Sequence, residues 1–317
     1  MISSDIKKAA ELLRRGNVVA IPTETVYGLA ANIYDQNAVQ RIFSLKQRPL
    51  FNPLIVHTGS IESVSDLTPN LHGVALELAK KFWPGPLTLL LEKKSRVPDL
   101  ITAGKNTVAV RIPNHPTALE LLNQLDFPLA APSANPFSRI SPTNAEQVEA
   151  YFGNEVPMVL DGGQCKRGIE STIIGFPDGL PTLYRFGALS HEQIESITGP
   201  LVIHTHSEKG PDAPGMLLKH YSPRTPCQMV IDVKAILNKK TGIKIGCILF
   251  NSQLPESVVH AQQTLSHAGD LVEAASRLYA CLHWMDQQGL DLIILEKVPD
   301  LGLGKSINDR LQRASAI

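Results

Sequence analysis

Along the first two hundred residues, apolar and polar positions alternate between two rhythms. Short continuous apolar runs read as buried strands: VVAIPT (18–23), PLIVHT (53–58), PLTLLLEK (86–93), NTVAVRIP (106–113) and FPLAAPS (127–133). Between them, QNAVQRIFSLK (36–46), HGVALELAKKFW (72–83) and HPTALELLNQL (115–125) space apolar residues three and four apart, the helical period. Pro84 stops the second of these helices. An opening helix runs from a Ser4 cap to Arg15 and ends at Gly16, and a polar turn region follows VVAIPT. Interleaved strands and helices predict an α/β or mixed-sheet fold rather than a bundle.

The rhythm breaks between His204 and Pro226, where four prolines and two glycines mark a linker. Beyond it, CQMVIDV, KAILNK, IKIGCILF, the long helix around GDLVEAASRLYACLHWMDQQG, LDLIILEKV and INDRLQRA alternate strand with helix. This predicts a small Rossmann-like domain over 227–317, after a domain over 1–203 and a linker over 204–226. There is no GxGxxG, so that shape implies no dinucleotide. Tyr279 and Trp284 have core spacing on the long helix and read as packing.

Composition narrows the function. Hydrophobic residues are 43% and charged residues 19% of 317, which is globular, and formal net charge is zero, which favours no nucleic-acid-coating surface. No apolar run reaches the ~18 residues of a membrane span. The N-terminal segment mixes acidic and basic residues, so no signal peptide and a cytoplasmic location are expected. Cys165, Cys227, Cys247 and Cys281 form no CxxC pair, which predicts neither a zinc site nor a disulfide framework. His204 and His206, without a third ligand, read as solvated rather than metal-binding.

Candidate chemistry gathers in five polar clusters near strand ends: PTETVYG (22–28), KQRPLFNPLIVH (46–57), VAVRIP (108–113), APSANPFSRISPT (131–143) and GIESTII (168–174). Each alone reads as turn and surface residues. Together they bring three cations, several hydroxyls and a histidine, without a GxSxG or a GxxxxGK[ST] loop. That inventory suits anion binding, with lysine as a point charge and arginine as a planar fork for carboxylate or phosphate.

PTETVYGLA, Lys46-x-Arg48 with Ser133-x-Asn135, FWPGPLTLLL and DGGQCKRGIEST resemble the YrdC-like threonylcarbamoyl-AMP synthases. APGMLLKHYSPRTP and GLGKSINDRLQRA resemble the long two-domain form, so the likeness runs over nearly the whole chain. Gly175 stands where that family usually has aspartate. The resemblance implies a twisted, open, mixed α/β sheet for the N-terminal domain, and synthesis of threonylcarbamoyl-AMP and pyrophosphate from L-threonine, bicarbonate or CO2 and ATP. The product serves N6-threonylcarbamoyladenosine formation in tRNA through a transferase machinery, and magnesium arrives with ATP.

Position by position, the resemblance implies that Lys46 and Arg48 are catalytic and meet the ATP phosphates. Thr25, Tyr27, His57, Arg111, Ala131 and Ser171 would serve L-threonine. Asn52, Thr107, Ser133, Asn135, Ser141 and Arg185 would meet ATP, and His220 and Tyr221 of the linker would close over it. Two other readings stay open: carbamoyl transfer as in hydrogenase-maturation proteins, and an RNA-binding module making weak contacts. The isolated cysteines weigh against the first, and zero net charge against the second.

Overall fold

The structure, a computed structural model, describes residues 1–316 except 208, 209, 218, 219, 239–241 and 256. Residues 208, 209, 218 and 219 of the expected linker, Lys239 of KAILNK and the last residue of the expected C-terminal domain therefore lie outside the described residues.

Two sheets organise the chain. The larger contains eleven strands: β1 (Ile2–Ser3), β2 (Val19–Ile21), β3 (Gly28–Asn32), β4 (Ile55–His57), β5 (Leu87–Glu92), β6 (Thr107–Arg111), β7 (Leu129–Ala130), β8 (Met158–Leu160), β9 (Thr172–Gly175), β10 (Thr182–Arg185) and β11 (Val202–Ile203). Their spatial order is β1-β8-β2-β3-β7-β4-β6-β5-β9-β10-β11, with parallel and antiparallel neighbours mixed. The smaller sheet contains β12 (Cys227–Val230), β13 (Ile245–Leu249), β14 (Ala261–Thr264) and β15 (Leu292–Glu296), all parallel, in the order β12-β15-β13-β14. The mixed α/β sheet with a Rossmann-like second sheet is the expected fold class. Strand β15 enters between β12 and β13, reached from the edge strand β14 by a crossover through helix Leu271–Asp286.

Local chemistry explains the boundaries. Helix Gln36–Lys46 starts where the Asp35 carboxylate accepts from the Ala38 N–H at 3.0 Å, and ends at Gln47 in the left-handed region. Its buried face, Ala38, Val39, Ile42 and Phe43, packs into the main core. Asp5 caps the first helix by accepting from Lys8 N at 3.0 Å, in place of the expected Ser4, because carboxylate and backbone meet one residue later. The expected polar turn after VVAIPT is partly strand β3, antiparallel to β2; its GLAAN residues are small enough to lie between β2 and β7. Strand β14 was also absent from the pattern, since AQQT is polar and lies at the sheet edge. Trp284 is 39% exposed and does not serve the expected core packing, whereas Tyr279 is fully buried.

The sheets share a buried boundary. Val26, Ile140 and Ile169 from the first pack with Tyr221 and with Leu278, Tyr279 and Leu282 of helix Leu271–Asp286. Gly168 holds φ +69°, and a Cβ there would come within 2.3 Å of the Ser276 carbonyl oxygen on that helix. Only glycine fits so close a backbone approach.

Candidate active site

A cavity of about 50 Å³ sits on one face of the large sheet. Strand alternation selects its floor. Ile55 and His57 of β4 point to one face, and β4 runs parallel to β6 with His57 opposite Arg111. On β10, a register shift between Leu183 and Arg185 makes Tyr184 an extra residue. Such a bulge re-aims side chains, so Tyr184 and Arg185 both reach the covered face although they are neighbours. The roof is Pro214, Gly215, His220 and Tyr221.

One half of the cavity is a hydroxyl and arginine cluster. Thr23 Oγ1 lies 2.8 Å from Thr25 Oγ1, and Arg111 Nη1 donates to Thr25 Oγ1 at 2.9 Å. Arg111 Nε donates to the Gly85 carbonyl at 3.2 Å. Glu24 Oε1 stands 2.8 Å from Arg111 Nη2, an ion pair misaligned for a hydrogen bond, and Glu24 Oε2 accepts from Asn114 N at 3.0 Å. His57 beside it is buried, and its Nδ1 has no partner in the protein. Burial and then the Arg111 charge push its pKa down to about 3, so the ring is neutral at pH 7.

The other half is cationic. Arg48 donates through Nη2 to Asn52 Oδ1 and to the Pro53 carbonyl, both at 2.7 Å, and through Nε to the Asn52 carbonyl at 3.1 Å. Burial, then Arg185, lowers its pKa to about 9. Arg185 donates to Ser171 Oγ at 2.9 Å, to the Ser171 carbonyl at 3.0 Å and to the Pro214 carbonyl at 3.3 Å. Ser171 Oγ also lies 2.7 Å from Thr88 Oγ1. Among the described residues neither Arg48 nor Arg185 has an ion-pair partner. His220 is held neutral by burial, then by the charges of Arg48 and Lys46.

Of the expected residues, Thr25, Arg48, His57, Arg111, Ala131, Ser133, Ser171, Arg185, His220 and Tyr221 line this cavity. The others stand behind or beside it. Lys46 is fully buried and donates from Nζ to the carbonyls of Ser133 and Asn135, each at 2.6 Å. It is thus the clasp between the Lys-x-Arg and Ser-x-Asn segments. Asn52 braces Arg48, and Asn135 donates to the Pro136 and Arg139 carbonyls at 2.8 and 2.9 Å. Tyr27 OH donates to the Gly163 carbonyl at 2.9 Å and accepts from Gly162 N at 3.1 Å. Ser141 Oγ donates to Glu170 Oε1 at 2.7 Å. Thr107, at the far end of β6 from Arg111, borders a separate cavity of about 650 Å³ with Leu90, Tyr184 and Asp212.

The sequence placed Thr23 and Glu24 in a candidate cluster without a role for either, and it did not foresee Gly215 in the pocket, Glu24 behind Arg111, or the neighbours of Glu170. For Gly215 the signal was its place beside proline in a linker. Its φ is +89°, and a Cβ on it would lie 2.9 Å from Arg185 Cδ, which is why no larger residue stands there. The described residues contain no group of three His, Cys, Asp or Glu suited to a metal. Glu24 and Glu170 are each paired with an arginine. Donors so engaged fit a magnesium ion held by substrate phosphates and water rather than by a protein cage.

Known proteins match this arrangement along the whole chain. A family described as "Telomere recombination" matches residues 11–187, and one described as "Threonylcarbamoyl-AMP synthase, C-terminal domain" matches residues 189–316. A threonylcarbamoyl-AMP synthase of Pyrococcus abyssi is 41% identical, covering 98% of this chain and 94% of its own. One from Bacillus subtilis is 38% identical, covering 98% and 92%. The crystal structure of P. abyssi Sua5 complexed with L-threonine superimposes with a TM-score of 0.92 at 40% identity, over 98% of this chain and 94% of that one.

Proposed function

The chain belongs to the family of threonylcarbamoyl-AMP synthases, enzymes that use ATP to form an adenylate, and from that premise we propose how its pocket serves L-threonine, bicarbonate or CO2, and ATP. The free amine of threonine bonds to the carbon of CO2 as one C=O π bond opens onto oxygen, and the nitrogen gives a proton to solvent, leaving a carbamate. A carbamate oxygen then bonds to the α-phosphorus of ATP while the α–β phosphoanhydride bond breaks, and its electron pair leaves with pyrophosphate. Both reactants are anions, so the site must screen their repulsion and align them.

The observation that carries this reading is the pair Arg48 and Arg185, buried without counter-carboxylates on one side of a pocket whose other side is Thr25, His57 and Arg111. Arg111 takes the threonine carboxylate, exchanging its misaligned contact with Glu24 for a bidentate one. Thr25 and Ser171 meet the polar groups of threonine, and Ala131 meets its methyl group. Neutral His57 offers an N–H or a lone pair without adding charge. Arg48, Arg185, Ser133 and Ser141 face the nucleotide, Lys46 and Asn135 hold the Ser133 loop in place, and Thr107 meets the outer end of the nucleotide. Magnesium, bound through the triphosphate, supplies neutralisation of the leaving pyrophosphate.

A cavity of about 50 Å³ lies far below the ~300–1,000 Å³ of small-molecule sites. His220 and Tyr221 of the roof therefore move aside to admit ATP and then return over it; Lys219 of that motif lies outside the described residues. The product passes to a tRNA threonylcarbamoyl transferase in the cytoplasm. Among the described residues no helix is long and apolar enough to cross a membrane.

Pyrophosphate release from ATP tests the reading. It is expected to require both L-threonine and bicarbonate and to fall at least a hundredfold in Arg48→Ala. Release independent of threonine would refute it and favour carbamoyl transfer; salt-sensitive RNA retention without turnover would favour an RNA-binding module.

A further inference from the structure

Among the described residues Glu170 is the one carboxylate lining the cavity, and most of its partners come from the second half of the chain. Its Oε1 accepts from Ser141 Oγ. Its Oε2 accepts from Tyr279 OH at 2.9 Å and from Arg310 Nε and Nη2, each at 3.2 Å. Arg310 lies on the closing helix Leu303–Ala314 and is 0% exposed. Its guanidinium carbon is also 4.9 Å from the centroid of the Tyr221 ring, a cation–π distance, and that ring stacks on Tyr279 at 5.7 Å. One guanidinium thus touches both the floor of the pocket and its roof.

The rest of the helix supports that placement. Asp309 accepts from Arg310 Nη1 at 2.7 Å and from Arg313 Nε at 3.0 Å. Arg313 in turn donates to the carbonyls of Thr205, at 3.1 Å, and Leu217, so it ties both flanks of the roof segment to the same helix. Ser306 Oγ donates to the Gly187 carbonyl at 2.8 Å, which anchors the helix to the first sheet just past Arg185. A buried ion pair joined by two hydrogen bonds is a poor source of net stability but fixes one geometry.

We propose that Arg310 is a positioning residue for the nucleotide half of the pocket: through Glu170 it sets Ser141, and through its face contact it seats Tyr221. This rests on the adenylate-forming reading and adds that ATP recognition depends on the closing helix, whereas threonine recognition does not. Thr25, His57 and Arg111 share no hydrogen bond or ion pair with Arg310, so the two ligands separate the effect.

Calorimetric binding of ATP and of L-threonine to the full chain, wild type and variants, tests it. Arg310→Met is expected to weaken ATP about tenfold or more and leave threonine within twofold, with Arg310→Lys between. Hydrogen exchange without ligand is expected to quicken at residues 213–217 in Arg310→Met while strands β4 and β6 stay protected. Should Arg310→Met fail to fold, Tyr279→Phe removes one donor from Glu170 and is expected to weaken ATP two- to fivefold by itself. Equal weakening of both ligands, or no change in ATP binding and exchange, would overturn the proposal. A wild-type chain that binds ATP yet releases no pyrophosphate would instead sink the function reading, with the exchange data still deciding the role of Arg310.

Discussion

Replacing Lys46 by methionine removes the clasp behind the pocket while keeping most of the volume of the side chain. The amine donates two hydrogen bonds of 2.6 Å to the carbonyls of Ser133 and Asn135, in a site that is 1% exposed. The Asn135 carbonyl left unpaired costs about 1–3 kcal/mol, and the Ser133 carbonyl, which keeps the Asn135 N–H at 3.0 Å, loses a bond worth about 0.5–1.5 kcal/mol. Against this, methionine relieves the cost of burying an amine, whose pKa burial and then Arg48 hold well below the usual lysine value. Two lost bonds outweigh that relief, and the net loss is about 1–4 kcal/mol of the ~5–15 that a protein of this kind holds. Urea denaturation reads it as a lower midpoint at unchanged slope.

The sign with pH discriminates further. A group whose folded pKa is lowered gives stability that is complete above its unfolded pKa and is lost as pH falls through the folded value. The gap between wild type and Lys46→Met therefore widens as pH rises from 7 toward ~10.4. A surface lysine paired with a carboxylate would narrow it. Equal stabilities of the two proteins, or a gap that shrinks with rising pH, would refute the clasp.

Three other outcomes follow from the same geometry. His57, with a pKa of about 3 in the fold, makes stability fall by ~1.4 kcal/mol per pH unit as pH drops from ~6.5 toward 3; His57→Gln flattens that limb in acid denaturation. Gly215→Ala puts a Cβ at φ +89°, 2.9 Å from Arg185 Cδ and 3.2 Å from Tyr221 OH, and raises KM for ATP severalfold at a cost of ~1–2 kcal/mol; unchanged kinetics would contradict the tight seat of the roof. Tyr27→Phe removes the partner of the half-buried Gly162 N–H and lowers the urea midpoint by the equivalent of ~0.5–1.5 kcal/mol, while threonine binding by calorimetry stays within twofold.

Much of the fold was legible because its signals are local. Helix Gln36–Lys46 matches its apolar spacing residue for residue, and β4, β5 and β6 sit inside their apolar runs. The misses share one cause, which is neighbours distant in sequence. Strand β3 is a strand because β2 and β7 flank it, and the edge strand β14 needs little apolar surface. The site shows the same limit. His57 and Arg111 stand at the ends of apolar runs and were conspicuous as polar groups against them, whereas Arg310 is embedded in a helix rich in charge. A signal was present even so, because Arg310 shares a stripe with Ile307, Leu311 and Ala314, and a cation on an apolar face must find a partner. What the spacing could not give was the identity of that partner, Glu170, 140 residues away.

Zero net charge over the chain concealed the electrostatics of the pocket, because formal charges cancel on paper wherever they lie. Here Arg111 and Arg310 spend their charge on Glu24 and Glu170, while Arg48 and Arg185 meet only carbonyls, a side-chain amide and a hydroxyl. Burial, and then the charge of Arg185, lower the Arg48 pKa to about 9, so two buried guanidiniums without an ion-pair partner among the described residues stand in mutual repulsion. An anion entering between them relieves it. With the nucleotide phosphates entering there as proposed above, binding is expected to be strongest for the ligand with the most negative charge at that position. Replacing Arg185 by methionine removes one side of the repulsion, so the variant is expected to lose ATP affinity at least tenfold while its folding stability falls by less than the ~3–5 kcal/mol typical of breaking a buried ion pair. A large loss of stability with ATP binding intact would show that Arg185 is a structural tie to Ser171 and Pro214 and no anion site.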